Sequence, residues 1–229
     1  MKRSGALRFF AMTLLLGAGL GLSAQTRRAE GVTKLPEGAT VVVMPMDVEL
    51  YALTAGGVRE PKAEWTEKAR KNLTDALLAR TAPGKVTFKL FQGEQNETLA
   101  ELGHLTNAVA NTIWIHHYGA MKLPGKGGRL DWTLGEDASL IAKAMPADYA
   151  LFLFLRDSTA TGGRVATMAM MAVLGVGVPG GSQVGYASLV DLKDGKVVWF
   201  NRMVKFSGDV REAEPARQTL ENLLQEFPD

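Results

Sequence analysis

Gly175, Gly177 and Gly180 repeat the G-x-G-x-x-G spacing with which dinucleotide-binding folds bring backbone against a pyrophosphate. That chemistry needs a helix after the third glycine, with its amino terminus facing the phosphates, and residues 184–192 read instead as a strand. Asp194 stands near the distance expected of a ribose-binding acid, but it falls in a predicted hairpin turn. The expectation is a flexible glycine-rich return loop and no cofactor. Gly125-Lys126 lacks the Ser or Thr that a phosphate loop places after its lysine, and no strand precedes it, so it reads as an exposed basic loop.

The three histidines are His104, His116 and His117. At about 100° per residue they point in three directions around one helix, which prevents them from sharing a metal. Glu101 and His104 have the Glu-x-x-His spacing of half a carboxylate-bridged di-iron site, but no second pair exists to complete it. Ser182 departs from the nucleophile elbow, because Val184 stands where the pattern requires glycine. No histidine follows Ser182, which excludes the Ser, acid, His order of the α/β-hydrolases. Asp47 and Glu49 share one strand face, the pattern of a solvated edge. These residues predict a protein that is not an enzyme; a secreted hydrolase of unrecognised type is the alternative from a different class.

The largest anomaly carries no catalytic group. Residues 164–181, RVATMAMMAVLGVGVPGG, are apolar with a glycine-rich exit. A helix needs about 20 apolar residues to span a bilayer, and Val165 to Val178 falls short. As a helix the stretch is apolar all round, with Ala166, Ala169 and Val173 forming a small-residue face beside Met168 and Met171. Packing on the chain's own sheet is the favoured reading, followed by contact with a partner subunit and then by shallow membrane insertion. Met168, Met170, Met171, Val173 and Leu174 are therefore the candidate interaction or membrane-contact residues. They are expected to bury their side chains against protein, in the same chain or a neighbour, rather than against lipid.

The 229 residues are 46% hydrophobic, enough for one domain with a real core. Lys2, Arg3 and Arg8 precede the apolar run FFAMTLLLGAGLGL and then Ser23-Ala24-Gln25, the layout of a secretory signal peptide cleaved near Ala24. An uncleaved anchor is the alternative. The expected organisation is a signal peptide over 1–24, a flexible polar leader over 25–38 and a single α/β domain over 39–229. Beyond residue 24 the chain carries 23 basic and 24 acidic side chains, a net charge of −1. Such a balance lacks the basic face that nucleic acid requires, so no nucleic-acid partner is expected. Cysteine is absent, which excludes disulfides, thiolate ligands and a lipid-bearing cysteine.

Periodicity sets the elements. In TVVVMPMDVELYAL, Val42, Met44, Met46, Val48 and Leu50 alternate onto one face of a strand, with Pro45 marking an edge or a bend. From Pro61, with proline in the first turn, Trp65, Ala69, Leu73, Ala76 and Leu77 predict a helix ending near Arg80. KVTFKLF predicts a second, half-exposed strand. A helical stripe through Leu99, Leu102, Leu105, Val109, Ile113 and His116 predicts a long helix from about Asn96 to Tyr118. Thr133 and Glu136 have capping-box spacing and predict a third helix. DYALFLFL is apolar on both faces, as in a strand covered on both sides at the centre of a sheet. A hairpin about Asp194-Gly195 and an amphipathic helix through Ala216, Leu220, Leu223, Leu224 and Phe227 complete an α/β sandwich in the order βαβααβββα, with the apolar insert before the hairpin.

This order, with three stretches, resembles a superfamily of bacterial envelope proteins that includes the curli secretion protein CsgG, the amino-terminal domain of TolB and LpoB-like activators of penicillin-binding proteins. The stretches are VVVMPMDVE, the strand beginning Pro146-Ala147-Asp148-Tyr149, and the hairpin LVDLKDGKVVW with Asp191, Gly195 and Trp199. The resemblance implies an anticodon-binding-domain-like mixed sheet in a non-catalytic, periplasmic or secreted protein that binds envelope proteins or self-associates, and the apolar stretch adds peripheral membrane contact as an alternative. A subunit of a membrane-associated secretion or transport oligomer is the variant of that reading. This chain departs from the lipoprotein members in lacking their lipidated cysteine. In CsgG the excursion before the hairpin contributes to a membrane barrel, whereas here it is one short apolar stretch.

Overall fold

The computed structural model describes residues 25–80, 86–94 and 96–229. The expected signal peptide lies outside them. The described residues form an open, mixed eight-stranded sheet with helices on both faces: β1 (Gln25–Arg28), β2 (Thr40–Val43), β3 (Asp47–Leu53), β4 (Arg59–Pro61), α1 (Ala63–Ala79), β5 (Thr87–Leu90), α2 (Glu97–Ile113), α3 (Ser139–Ala144), β6 (Tyr149–Ala160), α4 (Gly162–Val173), β7 (Gly181–Asp191), β8 (Val197–Lys205) and α5 (Ala213–Leu223). The main sheet order is β1-β8-β7-β6-β2-β5.

β6 is central, as its two apolar faces predict. It runs parallel to β2 through Val41↔Tyr149 and, further on, parallel to β3 through Asp47↔Phe154. Its other edge is antiparallel to β7. On one face Leu151, Leu153 and Leu155 join Leu73 and Leu77 of α1 and Leu220 and Leu223 of α5 in one core. On the other, Ala150 and Phe152 join Leu99, Leu102 and Ile113 of α2 and Ile141 of α3 in a second. The hairpin forms as expected. Asp191 Oδ1 accepts from the Lys193 amide at 2.8 Å, and Gly195 takes φ 71° where a side chain would collide with the Gly135 carbonyl.

Several expectations are corrected. TVVVMPMDVELYAL is two strands, because the break at Met44–Met46 inverts the alternation. Val42 and Met44 face the α2 core, while Val48 and Leu50 face the α1 core. Pro61 lies in β4, an edge strand paired only with β3, where a missing N–H is tolerated, so α1 begins two residues later. The leader is ordered at its start, since Gln25–Arg28 pairs antiparallel with β8.

On α2 the buried stripe is Leu99, Leu102, Thr106, Ala110, Ile113 and then His117, not Leu105, Val109 and His116. A stripe must follow spacings of three and four in step with about 3.6 residues per turn, and the last turn, Trp114–Tyr118, widens to a π-helix. Thr133 caps no helix; its hydroxyl accepts from the Gly135 amide at 2.9 Å.

Candidate functional site

β6 and β7, at 12 and 11 residues, are longer than the helices over them can cover. At about 3.3 Å per residue β6 spans about 40 Å. Its distal half therefore projects beyond α2. This overhang creates two features: a tip carrying the apolar insert, and a cleft on the sheet face beneath it.

At the tip, α4 starts from Thr161, whose hydroxyl oxygen accepts from the Arg164 amide at 3.3 Å and whose own proton goes to the Leu53 carbonyl at 3.0 Å. Arg164 reaches the Pro179 carbonyl at 3.1 Å and the Ala55 carbonyl at 3.3 Å, tying both ends of the insert to the β3–β4 turn. No residue of α4 is buried. Met170 is 64% exposed, Val173 86% and Leu174 70%. Met168 and Met171 are half-buried, and Met168 lies against Gly180 in the returning chain.

The insert is thus half-buried against its own chain through Met168 and Met171, while Met170, Val173 and Leu174 face outward. Val58 in the β3–β4 turn and Phe206 after β8 are exposed at the same end. Between Asp157 and Asp191 the chain carries no acidic residue and one basic one, Arg164. Among the described residues no helix is long and apolar enough to cross a membrane. After Gly180 the chain enters β7, so the glycine spacing lacks the helix that pyrophosphate binding needs.

The cleft lies between the end of α2 and the uncovered sheet, with a volume of about 400 Å³. Asn111 lines it from α2 and Trp114 and Ile115 from the π-helical turn that follows; Phe154, Arg156, Asp157 and Ser158 line it from β6; Tyr186, Val184 and Ser182 from β7; Tyr51 and Arg59 complete it from β3 and β4. Phe154 and Tyr186 stack with centroids 4.9 Å apart, and Tyr186 stacks on Phe200 at 5.6 Å. The Arg156 guanidinium sits over Phe154 at 4.1 Å and bridges Asp47 at 2.8 Å and Glu49 at 3.3 Å. Asp47 also accepts from Asn107 Nδ2 at 3.1 Å.

Tyr186 donates to Asn107 Oδ1, and burial raises its pKa. Tyr51 donates to Glu49, and that bond, with burial, raises its pKa as well. Asp47 and Glu49, read from sequence as a solvated edge, are thus the counter-ions of Arg156.

The remaining chemical candidates are scattered. His104 is exposed, a ring nitrogen of His116 meets the Met121 carbonyl at 2.8 Å, and buried His117 accepts from Trp132 Nε1 at 2.9 Å. Ser182 lies by Ser158, whose hydroxyl accepts its amide at 3.0 Å. Sequence reasoning missed the cleft. Its signal lay in β6, where the even positions turn from Ala150, Phe152 and Phe154 to Arg156 and Ser158, marking where the cover on that face stops.

No protein-family model matches this sequence, and neither does any curated protein. Among solved structures, the chain is similar to a PelC dodecamer from Paraburkholderia phytofirmans at 14% identity and TM-score 0.42, covering 90% of this chain and 99% of that one. It is similar to the LpoB C-terminal domain from Salmonella enterica at 14% identity and TM-score 0.30, covering 78% and 88%. It is also similar to lipoprotein GNA1162 from Neisseria meningitidis at 13% identity and TM-score 0.32, covering 72% and 81%. All three are remote likenesses.

Proposed function

We propose that this protein is a non-catalytic module of the bacterial envelope, exported to the periplasm, which assembles with a protein partner or with further copies of itself through the α4 tip. One observation carries the reading: a 12-residue apolar helix with no buried residue stands at the end of the sheet. Contiguous exposed apolar surface on a water-soluble fold marks a contact surface. The side chains on offer suit protein. Ala166 and Ala169 permit close approach, and the unbranched Met168, Met170 and Met171 adapt to an irregular partner surface. At about 1.5 Å per residue the helix is about 18 Å long, well short of the ~30 Å hydrocarbon core of a bilayer.

The non-catalytic part of the reading is supported by how the reactive side chains are occupied. Ser182 neighbours Ser158 and no histidine, while His116 and His117 are engaged with Met121 and Trp132. The deciding experiment is sedimentation velocity on the protein lacking residues 1–24, alone and with envelope extract, beside its Val173→Asp variant. Loss of assembly by a variant that melts like wild type is the expected result. A variant that assembles normally but no longer floats with lipid vesicles overturns the protein-contact reading in favour of lipid.

A further inference from the structure

The cleft beneath the tip has the size of a small-molecule site, since such sites enclose about 300–1,000 Å³, and this one encloses about 400 Å³. Trp114, Ile115, Phe154 and Val184 give it apolar walls. Most polar atoms among those walls are already used: Tyr51 donates to Glu49, Tyr186 to Asn107, and the Ser158 hydroxyl accepts the Ser182 amide. A polyol would find few partners here.

The charges divide the same way. Arg156 is held by Asp47 and Glu49, which leaves neither carboxylate free. Arg59, on edge strand β4 at the rim, is exposed and makes no ion pair or hydrogen bond among the described residues. Asn111 and the Ser182 hydroxyl are the other unspent polar groups of the lining, and both are neutral, while the lining carboxyl of Asp157 is buried and takes a hydrogen bond from Gln183 at 3.1 Å.

We propose that this cleft binds an anionic amphiphile, a single hydrocarbon chain ending in a carboxylate or phosphate. The chain lies along Trp114, Ile115, Phe154 and Val184, and the head group pairs with Arg59. Apolar walls bind the tail by removing its surface from water. A guanidinium fork matches the planar or tetrahedral oxyanion of the head. A second copy's α4 does not fit this site, because residues 158–190 contain no acid to meet Arg59.

The test is displacement of a fluorescent fatty acid from the protein lacking residues 1–24, with oleate, oleoyl-lysophosphatidate and the neutral oleyl alcohol as competitors, all below their micellar concentrations. Oleate is expected to bind at one site. Arg59→Gln should weaken oleate and lysophosphatidate by about tenfold, the scale of one charge-assisted contact, and leave oleyl alcohol unchanged. The stronger of the two acids identifies the head group as carboxylate or phosphate. Val184→Trp should abolish binding of all three by filling the cleft. If its melting curve shows misfolding, Ile115→Trp, on exposed helix surface, replaces it. Absence of oleate binding overturns the proposal, as does equal loss of acid and alcohol in Arg59→Gln. So does binding abolished by Val173→Asp but untouched by the cleft variants, which would place the amphiphile on α4.

Discussion

Asp157 and Gln183 face each other across the β6–β7 ladder, and Gln183 Nε2 donates to Asp157 Oδ2 at 3.1 Å. Gln183 in turn accepts from Thr219 of α5 at 3.0 Å. The pair stitches the overhanging half of the sheet to α5, and it does so with a carboxyl group only 2% exposed.

Burial pushes the Asp157 pKa from 3.8 up to about 6. The bond from Gln183 opposes that shift, the Asp209 carboxylate adds to it, and the Val210 amide and Arg211 oppose it. The native state therefore holds this proton more tightly than the unfolded chain. The associated stabilisation is complete below pH 3.8 and is lost as pH rises through about 6, a change of about 3 kcal/mol. Asp157→Asn should raise stability at pH 7 and have little effect at pH 4. Urea unfolding at the two values measures it, and an equal effect at both would contradict it.

His117 acts in the opposite sense. Burial is the main cause that lowers its pKa, assisted by Arg27, Lys122, His116 and Lys126, and the neutral ring accepts the Trp132 indole proton. Its stabilisation is present above the unfolded value of 6.5 and declines as pH falls below it. His117→Gln keeps an acceptor without a titrating group. Thermal melts between pH 5 and pH 8 should show a smaller acid-induced fall in the variant, and an unchanged slope would refute the assignment.

The tip and the core should respond differently to substitution. Val173→Asp alters a side chain already in water and is expected to change stability by less than about 0.5 kcal/mol. Leu155→Ala empties a position 1% exposed between α1 and α5 and should cost about 2–5 kcal/mol. Chemical denaturation of both variants checks the contrast. Comparable losses would mean that α4 is packed after all.

Two glycines of positive φ separate strain from collision. Gly127 has φ 55° and a Cβ there would meet only the end of the Arg129 side chain, at an ordinary contact of 3.6 Å, whereas Gly195 has φ 71° and a Cβ there would stand 2.0 Å from the Gly135 carbonyl oxygen. Gly127→Ala should cost about 1 kcal/mol for the left-handed backbone alone. Gly195→Ala should cost more than twice that, because the loop before α3 must also move. Equal losses in urea unfolding would show that the approach of the two loops is not rigid.

The elements of this protein were legible wherever one periodicity ran unbroken. DYALFLFL announced a strand covered on both faces, Asp194-Gly195 a hairpin, and Ala216, Leu220 and Leu223 an amphipathic helix, although Phe227 lies past its end, because each signal rests on side chains only a few residues apart. Pro45 warned of a bend but not of its outcome, the exchange of faces between Val42 and Val48. Exposure of Met170, Val173 and Leu174 had no local signal at all. An apolar helix reads the same whether covered or bare, and cover depends on how far α1, α2 and α5 extend along β6 and β7. The cleft has the same origin: Arg59, Trp114, Arg156 and Val184 lie on four separate elements, and only the register of β3, β6 and β7 beneath the end of α2 brings them together.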